Sequence, residues 1–299
     1  MYVTALDLGS SQIKALVAEI GKHGKLNLID VFSFPSFGVR KGEIVDSQEA
    51  TKAISKVFCE IRNISKGALK NIYVNLGGKN VQLQTSRGIV AVSRADSEIY
   101  SDDVDRVIKA SQAVSLSANR KIIHTIISEF IVDGIDQIKN PVGMNGARLE
   151  VNSLIVDAFT PNLKDLLKSV EVAGGKAIEI VYSPVAVAGA VLNRTHKELG
   201  SVLIDIGFGT TSMAVFEEDK LIAAKVFPLG SSNITNDLAI ALKSSIDTAE
   251  RVKIAYGHAF ARDVSSKEKI DLHELDEKLK AVVTKKFISE IIEVRLAEI

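Results

Sequence analysis

One cysteine, Cys59, stands in 299 residues, which excludes an intrachain disulfide and fits a reducing cytoplasm. Excess charge is absent as well, since Lys+Arg and Asp+Glu both total 37 and the formal net charge is zero. Without a positive surplus, a nucleic-acid partner held by phosphate neutralisation is excluded. Long apolar runs are missing too. The longest, residues 180–192, holds 13 residues including Ser183 and Pro184; it is too short to span a bilayer and reads as a strand followed by a buried helix. Strand-like sequence begins at once and meets a charge at Asp7, so no signal peptide is expected and the chain reads as soluble. Gly77-Gly78-Lys79 lacks the spacing of a Walker A loop.

What is present is a duplication. Leu6-Asp7-Leu8-Gly9-Ser10-Ser11-Gln12-Ile13-Lys14 returns 198 residues later as Ile204-Asp205-Ile206-Gly207-Phe208-Gly209-Thr210-Thr211-Ser212. Each copy is an apolar strand ending in Asp-x-Gly, then small or hydroxylated residues, then a second apolar run. Each turn leads into a strand and not a helix, which excludes a Rossmann fingerprint. Glycine lets the backbone turn tightly and approach a ligand closely. Ser10, Ser11, Thr210 and Thr211 add hydroxyl donors, and successive backbone N–H groups in such turns form anion-binding nests. Bare carboxylates repel a polyphosphate, so Asp7 and Asp205 are assigned to Mg²⁺, held through water. Lys14 has the reach to meet a β- or γ-phosphate. A single turn of this kind is also what an ordinary β-hairpin would show; two at domain-scale spacing point to a duplicated phosphate clamp.

Along the chain, strands are expected at 2–6, 13–19 and 26–33, a helix opened by the Asp46/Glu49 capping box, and a strand at 72–76. Ile54, Val57, Phe58 and Ile61 mark that helix's buried face, and Cys59 is read as a small packed side chain. From about residue 79 to 158 the chain reads as an inserted module: a strand near 88–92, a helix capped by Ser101, and strands at 122–132 and 149–159. His124 is read as a structural histidine. A helix from Thr160-Pro161, a strand at 177–181 and a small-residue helix after Ser183-Pro184 return to the first domain. The second half repeats the meander at 201–206, 211–216 and 221–228, then gives helices near 234–242, after Asp247 and from about 284. Asp247 and Glu250 have capping-box spacing, and that alone would account for Glu250.

Taken together, these residues resemble the actin–Hsp70–sugar-kinase superfamily, with residues 6–14 and 204–211 as its two phosphate loops and 183–192 as its first connecting helix. Within it the sequence is similar to the FtsA family of bacterial cell-division proteins, on Gly88-Ile89-Val90-Ala91-Val92-Ser93-Arg94, Glu129-Phe130-Ile131-Val132-Asp133-Gly134, Asn140-Pro141-Val142-Gly143-Met144 and Gly146-Ala147-Arg148-Leu149-Glu150. The resemblance covers essentially the whole chain. It implies an α/β, actin-like (ribonuclease H-like) fold of duplicated domains with an inserted α+β subdomain. Residues 1–83 and 159–198 would form the first actin-like domain (1A), 84–158 the inserted subdomain (1C), 199–229 the start of an incomplete second domain (2A) and 230–299 its outer subdomain (2B).

The resemblance further implies ATP with Mg²⁺ as ligand. Asp7, Gly9, Ser10, Ser11 and Lys14 would hold phosphate on one side, and Asp205, Gly207, Gly209, Thr210 and Thr211 on the other, with Asp205 first and Asp7 second as the magnesium-associated carboxylates. Residues 247–253 resemble the nucleoside-binding helix, with Glu250 accepting from ribose hydroxyls and the Lys253 stem against adenine. Phe208 stands where the family's second loop commonly has glycine. The implied function is a filament-forming scaffold, at most a slow ATPase, that links FtsZ filaments to the inner membrane surface at the division site and meets other division proteins through its inserted subdomain. Membrane attachment would run through a C-terminal helix not found here. Family chains continue for roughly a further hundred residues, so the meander at 201–228 is expected to expose an apolar face and an unpaired edge, and this chain to bind ATP weakly. Two alternatives remain open at this stage: a PilM-like pilus-assembly ATPase, or a small-molecule kinase for which Asp157 is the candidate base.

Overall fold

Alternation of inward and outward side chains builds the first sheet. In β1 (Tyr2–Leu8) Thr4, Leu6 and Leu8 are buried, and in β2 (Gln12–Ile20) Ile13, Ala15 and Val17 face the same way. The computed structural model describes residues 1–276 and 282–299, so residues 277–281 of the expected outer subdomain lie outside the described residues. The chain divides into two compact units, Met1–Asp205 with Ser212–Val226, and Ile206–Thr211 with Phe227–Ile299.

In the first unit β3 (Leu26–Pro35) completes the antiparallel meander, and a two-residue pair, β4 (Val39–Arg40) and β5 (Glu43–Ile44), precedes α1 (Ser47–Ile64). Asp46 caps α1 by accepting from the N–H groups of Gln48 and Glu49. Cys59 is exposed, a correction to its expected packing: one residue beyond buried Phe58, it is rotated about 100° off the apolar stripe. β6 (Ile72–Leu76) lies parallel to β1.

The inserted module comprises β7 (Val81–Ala91), α2 (Ser101–Ser111), β8 (Arg120–Val132), β9 (Ile135–Ile138) and β10 (Arg148–Phe159), paired in the order β7-β10-β8-β9. β7 begins at Val81, well before the expected residue 88, because its polar first half pairs with β10 as far as Ala158. Ser101 is the first helical residue and not the cap; the Tyr100 N–H is held instead by the Asp103 carboxylate. Val107 of α2 packs on Phe130, Leu149 and Val151.

α3 (Thr160–Val172) and β11 (Ala177–Tyr182) return to the first sheet, whose order is β11-β6-β1-β2-β3. One core joins Leu6, Ile13, Ile54, Phe58, Ile61, Ile72 and Val170. After α4 (Ser183–Val191) and α5 (Arg194–Leu199) come β12 (Ser201–Ile206), β13 (Thr211–Glu217) and β14 (Lys220–Phe227). Ala214, Phe216 and Leu221 pack on Leu154 of β10 and Ala188 of α4. Val202, Ile204, Ile206 and Ile222 are exposed, the apolar face expected of this meander.

The second unit contains α6 (Ser231–Leu242), α7 (Ile246–Tyr256), the pair β15 (Lys269–Asp271) and β16 (Val282–Thr284), and α8 (Lys285–Glu298). Leu238, Ala249, Val252, Leu272 and Ile288 form its core. Arg295 of α8 makes two bonds, 2.5 and 2.9 Å, to the Asp237 carboxylate of α6. No described helix is long and apolar enough to cross a membrane.

Candidate functional site

The first Asp-x-Gly turn joins β1 to β2. Gly9 donates its N–H to Gln12 O at 3.1 Å, and a Cβ there would lie 2.6 Å from that same oxygen, so the turn closes only around glycine. Ser10 Oγ accepts from the Gly42 N–H at 3.0 Å, which leaves its own proton to donate, and Ser11 O accepts from Ser36 N–H at 2.9 Å. Asp7 lies directly across the strands from Lys14. Although the Asp7 side chain keeps contact with solvent, partial loss of hydration pushes its carboxyl up from the ordinary carboxylate range; Lys14 opposes that shift and the Asp205 carboxylate adds to it. Asp7 and Asp205, both in the first unit, are therefore electrostatic neighbours.

Asn75, at the end of β6, was not legible in the sequence as part of this cluster. Its Nδ2 donates to Asp7 Oδ1 at 2.6 Å and lies 3.3 Å from Ser183 Oγ, while its Oδ1 accepts from Leu8 N–H at 2.8 Å. Those bonds fix the amide and, through it, the carboxylate. An Asn one residue from the end of a strand that closes in Gly77-Gly78 was the available signal, but nothing local said which carboxylate it would meet.

The second turn is bound to its own unit. Gly207 N–H donates to Thr210 O at 2.8 Å, and the N–H groups of Ser231 and Ser232, opening α6, donate to Gly207 O and Phe208 O at 3.0 and 2.8 Å. At Gly230 a Cβ would lie 2.6 Å from Phe208 O and 2.7 Å from Gly207 O, so this close seating of helix on turn requires glycine. With those carbonyls engaged, the N–H groups of Phe208, Gly209 and Thr210 have no acceptor among the described residues. These N–H groups are donors that an anion at this turn would engage. Thr211 is turned inward: it is buried and its hydroxyl donates to Leu229 O at 2.9 Å, so it serves the turn and is not available to a ligand.

Glu250 and Lys253 meet on α7, 2.7 Å apart. The capping explanation for Glu250 is overturned, because α7 begins at Ile246 and its cap is Ser245, whose Oγ accepts from Thr248 N–H. Glu250 is free of the helix end; one of its oxygens lies 2.5 Å from the buried Thr235 hydroxyl. Lys253 Nζ also donates to Thr235 Oγ1 at 2.9 Å and Ser231 O at 3.3 Å. All three ammonium protons have acceptors, which leaves only the methylene stem for a ligand.

Asp157 is 2% exposed and paired with Arg120, whose guanidinium also donates to Asn80 O at 2.9 Å and Asp157 O at 3.1 Å. A carboxylate locked in this way is no base for a substrate hydroxyl, which removes the residue on which the kinase alternative rested. His124 Nε2 accepts from Tyr182 N–H at 3.0 Å and burial lowers its pKa, so it is a neutral structural side chain. A surface depression of about 530 Å³ lined by Phe37, Glu49, Lys52, Ala53 and Lys56 includes none of the candidate residues.

Comparison with known proteins gives the arrangement its context. Residues 78–157 match the family described as the SHS2 domain inserted in FtsA, and residues 202–295 match the family Cell division protein FtsA. The cell division protein FtsA of Bacillus subtilis (strain 168) is 38% identical over 299 residues, all of this chain and 68% of that protein. A chain of the PilM–PilN type IV pilus biogenesis complex superposes with a TM-score of 0.62 at 16% identity, covering 93% of this chain and 72% of that one. MreB5 of Spiroplasma citri bound to ADP superposes at 0.53 and 14% identity, covering 99% and 75%. These likenesses show a mixed α/β actin-like fold carrying an inserted SHS2 subdomain. With more than a third of its residues shared along its whole length and two matching family segments, the chain belongs to the FtsA family of cell division proteins.

Proposed function

We propose that the chain is an ATP-binding scaffold of the division machinery in which nucleotide acts as a conformational ligand. The observation that carries this reading is the proximity of Asp7 and Asp205, each at the strand end that opens an Asp-x-Gly turn. Gly9, Ser10, Ser11 and Lys14 from one turn, and Gly207, Gly209 and Thr210 from the other, would hold the phosphates. Among the described residues no group of three or more His, Cys, Asp or Glu side chains is placed to hold a metal ion by itself. Two carboxylates with water completing the shell suit magnesium, which dehydrates reluctantly. When bound, the ion would neutralise phosphate charge beside the two acids. MreB5 of Spiroplasma citri, solved with ADP, lends the adenine nucleotide support as a neighbour in fold.

Slow turnover at most is proposed, because Asp7 is held by Asn75 and shares its surroundings with a second acid, an arrangement for cation binding and not for aiming a water. Family membership supports the wider reading: polymerisation, and linkage of FtsZ filaments to the inner surface of the cell membrane. The outer subdomain, within residues 230–299, would receive FtsZ, and residues 84–158 would meet the chain's own copies and later division proteins.

The test is a thermal melt with millimolar ATP, with and without magnesium, for the wild type and Asp205→Asn. A competent site at about a hundred times its dissociation constant gains roughly 2.7 kcal/mol. A magnesium-dependent rise that Asp205→Asn removes is the expected result; no rise under any condition would sink the nucleotide reading. Co-pelleting with FtsZ polymers tests the scaffold reading separately.

A further inference from the structure

Among the described residues of the second unit is an aromatic contact beside Glu250 that the phosphate and ribose roles leave unused. Lys253 Nζ sits 5.6 Å from the centroid of the Phe208 ring. Its three protons go to Glu250 Oε2, Thr235 Oγ1 and Ser231 O, and the ring lies against the same ammonium group. The negative face of an aromatic ring attracts such a cation. Thr235, fully buried, anchors the same Glu250 oxygen. One Glu250 oxygen is thus fixed by a lysine and a threonine, while Oε1 has no partner among the described residues and the side chain is 29% exposed.

A carboxylate with one oxygen immobilised and the other free is an acceptor of defined direction. Its natural ligand is a hydroxyl donor, such as one hydroxyl of a ribose. We propose that Phe208 is the specificity-determining positioning residue for ribonucleotides: its ring holds Lys253, Lys253 holds Glu250, and Glu250 presents Oε1 to the sugar. This rests on the nucleotide-binding reading above. Phe208 touches no ligand in this scheme. Removing the ring takes one of four contacts from the ammonium and loosens, without breaking, the grip of Lys253 on Glu250, so the loss is modest, falls on sugar recognition and spares the phosphates.

The experiment titrates Mg-ATP and Mg-2′-deoxy-ATP into wild type, Phe208→Leu, Phe208→Tyr, Lys253→Met and the Leu/Met double variant, with folding checked by circular dichroism. Phe208→Leu should weaken ATP roughly two- to fivefold, the range expected of a cation–ring contact, with 2′-deoxy-ATP little changed. Phe208→Tyr should keep the wild-type preference, and the double variant should be no worse than Lys253→Met alone. If Phe208→Leu weakens both nucleotides equally, or the two single losses add in the double variant, the proposal is overturned while ATP binding stands. If the wild type binds neither nucleotide, the nucleotide reading falls and takes this proposal with it.

Discussion

Asp7 combines two demands that oppose each other. Its folded pKa is raised, by desolvation first and by Asp205 in addition, against the pull of Lys14. Between the unfolded and folded values the folded chain therefore holds more protons than the unfolded one, and stability falls as pH rises through that window. At neutral pH the ionised carboxylate weakens the ligand-free fold. Asp7→Asn should accordingly raise the ligand-free melting midpoint at pH 7 and remove the magnesium-dependent response to ATP, with the advantage vanishing in acid below the ordinary carboxylate range. An unchanged or lower midpoint at pH 7 would refute this assignment. Asn75→Ala should act in the opposite direction. It leaves the Leu8 N–H without its acceptor and the carboxylate without a donor, a loss of about 1–3 kcal/mol measurable by urea unfolding.

Among the elements, α7 gives a sharp contrast between spacing and structure. Asp247 and Glu250 stand three apart before an apolar run, yet Ser245 is the residue that bonds the helix end, and its hydroxyl also lies 2.8 Å from that of Thr248. Ser245→Ala should cost about 1 kcal/mol of stability in thermal or chemical melts, while Asp247→Ala should cost well under half of that. Equal losses would return the cap to Asp247. The start of α6 behaves differently, because its first N–H groups are occupied by carbonyls of the Phe208 turn. Helix and turn are in this way one piece of the second unit. Gly230→Ala should separate them, with faster hydrogen exchange at Ser231 and Ser232 and a lower midpoint, although the extended backbone there (φ −167°) would tolerate alanine if the turn were absent.

For the whole molecule the open sheet faces matter most. On the first sheet Tyr73, Ala5, Leu16 and Val31 are successive cross-strand neighbours, and all four are exposed. On the meander β12–β14, Val202, Ile204, Ile206 and Ile222 are exposed as well. The chain spans about two thirds of the length of curated relatives that it matches. Apolar faces of this extent drive association. Light scattering should therefore increase with protein concentration. Replacing Leu16, Val31, Val202 and Ile204 by threonine, which suits strands, should suppress it without lowering the melting midpoint, since none of the four belongs to a buried cluster. A wild-type chain that stays monodisperse at high concentration would contradict this.

Periodicity and repetition along the chain determined the types of the longer elements and the duplication of the Asp-x-Gly turns, because those properties depend on neighbours within a few residues, whereas the antiparallel pairing of the inserted module came from the tertiary structure. β6 and β12 match their expected limits residue for residue. Short pieces such as β9, α5 and the β15–β16 pair were invisible, since so few residues carry no period. Tertiary structure alone decided the partners: that Asn75 would meet Asp7, that Arg120 would close off Asp157, that Thr211 would face inward, and that the Phe208 ring would lie beside Lys253. Hydrogen bonds and ring contacts form between residues that are distant in sequence, and their geometry comes into being only when the sheets and helices that carry them are packed.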